Sequence, residues 1–432
     1  MASKNNPISL RFWKLISWIF AVPLILLSWW MHRRMGAEPA RFEERVGRGS
    51  TTDDGPRVIW FHAASLGEVK QIAPMAEKLS KDAQTRILVT TTTTTGAAWV
   101  AQHMPFALHR FAPIDTPGAV SRFLQGWRPR AAIFVEGDFW PRMVLALKAR
   151  DAPCILLNAR DSRTRRRLDA LYAALLRDFA LVTCRSERVA KEMRGLGVPP
   201  DRVHLLPDLR VTLPRLAVPQ ADLAALYTDI GTRAIWLAAS THAGDEAAVI
   251  DAHRQVLAKW SETLLIVAPR HPDRAAVLEE RAQAGGLATA RRSKGQGIDQ
   301  PTQVYIADTL SEMGLWFSLS PIAFIGGSFG PEGGHTPYEP AQFGAAILHG
   351  PGVRNFADAY AVLAVAGAAQ EVADAPGLAA AVLELMQEDS ASKRGAAGRA
   401  FMDRAQAGSS DHTALVRDVL AGAGILTRPG RG

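Results

Sequence analysis

Two doubly wound α/β domains, each a parallel sheet of Rossmann type, facing one cleft and preceded by an N-terminal membrane anchor, are what this sequence predicts. Three observations predict them. Short apolar runs rich in β-branched residues alternate with helical stretches of ten or more residues, the pattern of a buried parallel sheet with crossover helices. The pattern breaks at a proline-containing stretch, residues 213–219, and then restarts. An uncharged run, residues 15–30, stands ahead of both halves. The boundaries follow: an anchor at 1–34, a charged juxtamembrane linker at 35–56, a first domain at 57–212, a linker at 213–228 and a second domain at 229–425.

The uncharged run reads LISWIFAVPLILLSWW and approaches the roughly 20 apolar residues that a span requires. Trp13, Trp18, Trp29 and Trp30 suit an aromatic belt, and Arg11, Lys14, His32, Arg33 and Arg34 flank it. No small-x-small cleavage site follows, so an anchor fits better than a removed signal peptide. In the first domain the strands fall at 58–61, 86–90, 131–135, 154–157, 181–184 and 203–206. In the second they fall at 234–238, 263–268, 302–306, 322–325 and 345–348. Sheets of this kind bind ligands at the C-terminal ends of their strands.

At 432 residues the chain exceeds one ordinary core. A hydrophobic share of 48% and a charged share of 21% are ordinary for a globular protein. A net charge of +8, from 50 basic and 42 acidic residues, favours phosphorylated sugars or an anionic membrane face. Nucleic acid is a poorer match, since no basic–aromatic motif of a nucleic-acid module is present. Cys154 and Cys184 lie in apolar runs and read as small buried hydrophobes.

Four strand-to-helix junctions carry candidate chemistry. The first is HAASLGE at 62–68, where Glu68 falls in the first turn of a helix. It is either a functional carboxylate or a helix-end charge worth roughly 0.3–1 kcal/mol. The second is VEGDFWP at 135–141, where Glu136 takes the functional reading and Asp138 that of helix cap. The third, VAPRHPDR at 267–274, delivers Pro269, Arg270 and His271 to a sheet edge; an arginine there suits a phosphate oxygen, and His271 lacks a second metal ligand at suitable spacing. The fourth, FIGGSFGPEGGHTPYEPA at 324–341, is a glycine-rich loop whose amides can cradle a phosphate. It runs into a helix with Thr336, Pro337 at N1, Tyr338 and Glu339 in its first turn, the last suited to ribose hydroxyls.

These motifs, together with TTTG at 93–96, LNAR at 157–160, ASTH at 239–242 and PRHP at 269–272, resemble the 3-deoxy-D-manno-octulosonic acid (Kdo) transferases of lipopolysaccharide assembly. The likeness runs through almost the whole chain. It implies a GT-B fold, a CMP-Kdo donor, a lipid A precursor (lipid IVA) as acceptor and an inverting transfer on the cytoplasmic side of the inner membrane, in contact with its lipids. It implies no metal, because helix amides and Arg270 can carry the leaving phosphate. Glu68 matches the family's general base and Glu136 a carboxylate that stabilises the transition state. Pro269 and Arg270 match one side of the CMP site, Leu310, Ser311 and Glu312 a second, and Thr336, Pro337, Tyr338 and Glu339 a third. The family usually has Glu-Thr-Glu at 136–138, and Gly-Asn-Leu-Lys where this chain has Pro207-Asp-Leu-Arg210, so the lysine's role falls to Arg210.

Three other readings share some of these features. A GT-B transferase using a UDP-sugar would be protected by UDP rather than CMP. A sugar-nucleotide epimerase on the same fold would need no anchor. A non-catalytic membrane protein binding anionic lipid would need no ordered loop motifs in both halves.

Overall fold

Fourteen strands form two seven-stranded sheets in the computed structural model, which describes residues 8–49, 58–81 and 86–426. The first holds β1 (Val58–His62), β2 (Arg86–Thr91), β3 (Ala107–Phe111), β4 (Ala131–Val135), β5 (Cys154–Ala159), β6 (Leu181–Cys184) and β7 (Val203–Leu205), in the order β3-β2-β1-β4-β5-β6-β7. The second holds β8 (Ile235–Thr241), β9 (Leu264–Pro269), β10 (Thr289–Arg291), β11 (Val304–Ile306), β12 (Ile322–Ile325), β13 (Ala346–His349) and β14 (Ala369–Glu371), in the order β10-β11-β9-β8-β12-β13-β14. Every pairing is parallel. In each sheet the chain fills one side of the first strand, returns to the centre and runs out the other way, with β11 slotting between β9 and the edge strand β10 in the second. The reversal lies between β1 and β4 in the first sheet and between β8 and β12 in the second.

Side-chain alternation explains the continuous apolar runs. From β1, Val58 and Trp60 enter a core with Phe123, Phe134 and Leu156 on one face. Ile59 and Phe61 enter the other face with Val89, Ile133 and Leu157. Both faces are covered, so neither parity can be polar. Each of these large side chains, fully buried, stabilises the fold by roughly 1.5–3 kcal/mol.

The chain divides into one unit of Met1–Leu213 with Gly408–Gly432 and another of Pro214–Ala407. Two expected boundaries change. The second domain does not run to 425, because Val416, Leu420, Ile425 and Leu426 are buried in the first unit's core beside Ile59 and Phe61. The linker at 213–228 is largely structured: Gln220–Ile230 is a helix of the second unit whose Leu226 and Ile230, four apart, are buried.

The expected anchor does not take the form of one continuous helix. The first seven residues, and 50–57 around the end of the linker, lie outside the described residues. Beyond them the run is two helices, Ile8–Ile19 and Ala21–Arg34, and no single helix among the described residues is long and apolar enough to cross a membrane. The pair passes such a test only together, bent by 70°. Pro23 supplies the reason: it has no N–H, and its ring would strike the carbonyl of Ile19 in a continuous helix. The first helix docks on its own unit. Leu10 is buried, Trp13 Nε1 donates to Asp115 Oδ2 at 2.9 Å, and the Arg142 guanidinium donates to Ser17 Oγ and Lys14 O. His32 closes the second helix against Arg45, whose Nε donates to His32 Nδ1 at 3.0 Å. Phe12, Trp18, Val22, Leu26 and Trp30 stay more than half exposed.

Candidate active site

In the first unit the candidate side chains gather at the C-terminal strand ends around the β1/β4 reversal. Ser65 caps the helix Leu66–Ser80 by accepting from Glu68 N at 3.5 Å, and Glu68 reaches back. Its Oε2 accepts from Ala64 N at 2.7 Å and its Oε1 from Ser65 Oγ at 3.2 Å, a reciprocal capping arrangement. Glu68 thus serves the helix start, and its surroundings also act on its carboxyl. Burial, opposed by the Ala64 amide and supported by the nearby Glu136 and Asp138 charges, pushes its carboxyl up to about 7. A carboxyl oriented by its own backbone and exchanging its proton near neutrality is suited to general base work.

Glu136 follows β4 in the left-handed region, φ 57°. Its Oε1 accepts from Gln71 Nε2 at 3.1 Å, and its Oε2 lies 3.3 Å from Arg160 Nε. Asp138 does not cap the next helix. Trp140 occupies that N-cap, two residues further on, and Asp115 serves the helix start instead, accepting from Arg142 N at 3.2 Å and Met143 N at 3.1 Å. Asp138 faces His62 Nε2 at 3.4 Å and accepts from Trp140 Nε1 at 3.2 Å. Burial would raise its carboxyl, but His62 and Trp140 outweigh burial and hold it below its usual range. Arg210, just after β7, grips Asp208: Nε lies 3.1 Å from both carboxylate oxygens and one terminal nitrogen 2.7 Å from Oδ2. Of the arginines near 160–167, Arg165 is structural, buried and paired with Glu192 at 2.6 Å. A 410 Å3 pocket lined by Arg128, Arg130 and Arg150 lies where β4 and β5 begin, at the opposite sheet edge; Arg130 donates to Gly424 O and Arg150 to Ala146 O.

In the second unit the C-terminal ends of β8, β9, β11 and β12 carry the candidates. Pro269 ends β9, and Arg270 follows with its backbone N–H on Thr241 O and its side chain exposed. Leu310 is 71% exposed and Ser311 has φ 67°. Glu312 is held by Arg292 at 2.7 and 3.2 Å and by the Thr309 hydroxyl. Tyr338–Phe343 is a six-residue helix, and Pro337 is its N-cap rather than N1; Tyr338 N donates to Thr336 Oγ1 at 3.4 Å.

The glycine loop corrects a further expectation. Three of its amides are already taken: Gly327 N donates to Asp245 Oδ2 at 2.7 Å, and Ser328 N and Phe329 N donate to Oδ1 at 3.2 and 2.9 Å. Asp245 Oδ2 also accepts from His242 N at 2.9 Å, and the residue is fully buried. A carboxylate thus occupies the amide nest. The loop backbone can follow this path because a Cβ on Gly326 would stand 2.6 Å from Ser240 O, and Gly327 has φ 65°. Asp245 escaped the sequence reading. The signal was there, as an acid three residues after the N-cap His242.

A histidine cluster was also missed. His242 Nε2 and His335 Nε2 lie 2.9 Å apart with rings stacked, and His271 meets His242 edge-on at 5.5 Å between centroids. A hydrogen bond between the two Nε2 atoms requires one ring to donate and the other to accept, a choice set by their tautomers. Burial, then the neighbouring His242 and Arg270, lowers His335 to about 4. The three histidines come from different loops, 242, 271 and 335, so no local spacing announced them.

The family model of 3-deoxy-D-manno-octulosonic-acid transferase (kdotransferase) matches residues 40–213. A 3-deoxy-D-manno-octulosonic acid transferase of Bordetella pertussis is 31% identical over 420 residues, 92% of this chain and 95% of the relative. That of Haemophilus influenzae is 31% identical over 333 residues, 75% of this chain and 78% of the relative. Among solved structures, a glycosyltransferase from Rickettsia africae superposes with a TM-score of 0.59 at 13% identity, covering 87% of this chain and 100% of that one. A UDP-GlcNAc 2-epimerase from Neisseria meningitidis gives 0.60 at 12%, covering 85% and 100%. At such identity the structural likeness speaks to the fold alone, two Rossmann-like parallel-sheet domains of GT-B type. The chain belongs to the 3-deoxy-D-manno-octulosonic acid transferase family and is a glycosyltransferase.

Proposed function

We propose that this glycosyltransferase moves Kdo from CMP-Kdo to a hydroxyl of the lipid A precursor lipid IVA, with inversion at the anomeric carbon. The observation that carries the reading is Glu68: a base-ready carboxyl near neutrality, beside a second carboxylate, in a Kdo transferase. As the acceptor oxygen bonds to the anomeric carbon, Glu68 takes its proton, the bond from that carbon to phosphate oxygen breaks, and CMP leaves with the electron pair. Glu136 faces the positive charge that develops on the sugar, and Arg210 supplies a cation in the same unit. Arg270 carries phosphate charge in the second unit, with Pro269, the 310–312 loop and Thr336–Glu339 around the nucleotide. In this reading the chain's own side chains offset the negative charge of the departing phosphate, so chelation with EDTA, with CMP-Kdo supplied preformed, is expected to leave turnover intact.

The test is direct. Detergent-solubilised protein is supplied with a CMP-Kdo-generating system and tetraacyl lipid A precursor, and lipid mass is followed. Gain of Kdo supports the reading; no gain, while a known Kdo transferase succeeds in parallel, overturns it. Arg270→Ala is expected to weaken CMP binding roughly 10- to 100-fold, the loss of a charge-assisted phosphate contact, and to lower turnover as well. Unchanged calorimetric CMP affinity would remove Arg270 from the donor site.

The N-terminal helices bring the protein to lipid in the same proposal, at the cytoplasmic face of the inner membrane. Support comes from Phe12, Trp18, Leu26 and Trp30, exposed beside Arg11, Lys14, Arg33 and Arg34. The docking contacts of Trp13 and His32 make deletion of 1–34 a poor probe, since it strips buried contacts along with the exposed face. Trp18→Ser with Leu26→Ser is the cleaner test. It is expected to cut binding to anionic vesicles by at least about tenfold, with melting temperature unchanged. Parental vesicle binding by the folded double variant would show that this face does not meet lipid.

A further inference from the structure

Glu136 and Arg210 stand at the ends of strands β4 and β7, with β5 and β6 between them in the sheet. A continuous chain of hydrogen bonds nevertheless joins them. Arg210 holds Asp208; Asp208 Oδ1 accepts from Asn158 Nδ2 at 3.0 Å; the same Nδ2 donates to Gln71 Oε1 at 2.9 Å; and Gln71 Nε2 donates to Glu136 Oε1 at 3.1 Å. Neither Gln71 nor Asn158 touches solvent appreciably, at 3% and 1% exposure.

The polarity of this chain is forced. Burial would raise Asp208, but Arg210 and Arg185 outweigh burial and keep the carboxyl below its usual range, so it only accepts. Asn158 must therefore turn its NH2 toward Asp208, and its Oδ1 receives Leu209 N at 3.4 Å. The second N–H of that NH2 meets Gln71 Oε1, which leaves Gln71 presenting its own NH2 to Glu136. Two amides, neither free to flip, thus aim a donor at one oxygen of Glu136 while Arg160 meets the other. Asn158 is also selected by its backbone: φ is 57°, and its N–H donates to Thr183 Oγ1 at 2.9 Å at a register shift between β5 and β6. An aspartate there would set oxygen against oxygen twice.

We infer that Gln71 and Asn158 are positioning residues that hold the Glu136 carboxylate and the Arg210 guanidinium on one hydrogen-bonded frame. The inference rests on the proposed Kdo transfer and on the roles of Glu136 and Arg210 in it. The frame fixes the rotamer of Glu136, since a donor that cannot flip is aimed at one of its oxygens.

Gln71→Glu tests this with almost no change of shape. Asn158 can still donate to the new carboxyl, but the other oxygen then faces Glu136, and the two must share a proton until the pH is raised. The single-turnover rate at pH 7 is expected to fall roughly 10- to 100-fold. Its acid limb should move up by about one pH unit or more, with CMP affinity within about twofold of the parent. Gln71→Met removes the donor without adding charge; its rate should fall similarly with the limb unmoved. A folded Gln71→Glu protein with the parental rate and pH profile overturns the inference, as does a folded Gln71→Met protein at the parental rate. Unfolding of both variants would assign the pair a structural role and overturn it too. Absence of Kdo transfer by the parent overturns the proposed function and this inference together, whereas a variant at the parental rate overturns only the latter.

Discussion

Glu68→Gln is expected to lower single-turnover Kdo transfer by a factor on the order of 10²–10⁴ while leaving the fold and CMP affinity nearly intact. The capping geometry makes the experiment sharp. Glutamine is isosteric, and its Oε1 can still accept from Ala64 N, so the helix start loses little more than the interaction of a charge with the helix end, roughly 0.3–1 kcal/mol. A cap-only residue predicts that small loss and a near-parental rate. A base predicts the large kinetic loss, because an amide cannot take the acceptor proton. Measuring melting temperature, CMP binding and single-turnover rate on the same preparation separates the two, and a folded variant within a few-fold of the parental rate sinks the base assignment.

The pH dependence follows with its sign. Glu68 must be ionised to act, and its folded value is about 7, so the parental rate should climb as pH rises from 5 and level off above about 7. Stability runs the other way. A carboxyl raised above its unfolded value, about 4.3, binds more protons in the native state between those two values. Its contribution therefore falls as pH rises from about 4 to 7 and stays low above that. Glu68→Gln removes this slope, so the variant should gain on the parent in melting temperature across that window.

Much of this was legible in the sequence, and the exceptions share causes. The central strands were visible because both faces are covered and the run is continuously apolar, as in Ile59, Trp60 and Phe61 of β1. The strands that escaped, β3, β10 and β14, lie at sheet edges and carry polar residues such as His109, Arg110, Arg291 and Glu371. Glu68, Glu136 and Arg270 could be chosen because a strand followed by a turn and a helix announces itself locally. Gln71, Asn158 and Asp208 could not, since their partners are 65, 87 and 50 residues away in the hydrogen-bonded pairs that matter. The return of Val416 and Leu420 to the first core is invisible for the same reason: an amphipathic helix declares that it is covered, not by what. Pro23 was a local signal for a broken helix that the apolar composition around it masked.

Asp245 is where the second large effect is expected, and there the loss is structural first. Four backbone amides, from His242, Gly327, Ser328 and Phe329, converge on this one fully buried carboxylate. Alanine would leave them without an acceptor, and stranding even two such donors costs roughly 3 kcal/mol or more. For a unit of this size that is a drop of about 6–12 °C in its melting temperature. The glycine loop would lose its shape with it, because Gly326 packs on Ser240 and Ser328 Oγ ties β12 to β13 through Ile325 O and Gly350 N. CMP affinity should therefore fall together with stability in Asp245→Ala, whereas Arg270→Ala, an exposed side chain, should lose affinity at an unchanged melting temperature. Asp245→Asn lies between: one oxygen still accepts, but the NH2 opposes two donors. The measurement is calorimetric, CMP titration beside thermal unfolding for the three variants. If Asp245→Ala melts within about 2 °C of the parent and binds CMP as tightly, the carboxylate is not what holds the loop, and the ordering force must be sought in the Ser328 hydroxyl and the packing of Phe324 on Phe329, whose ring centroids are 5.1 Å apart.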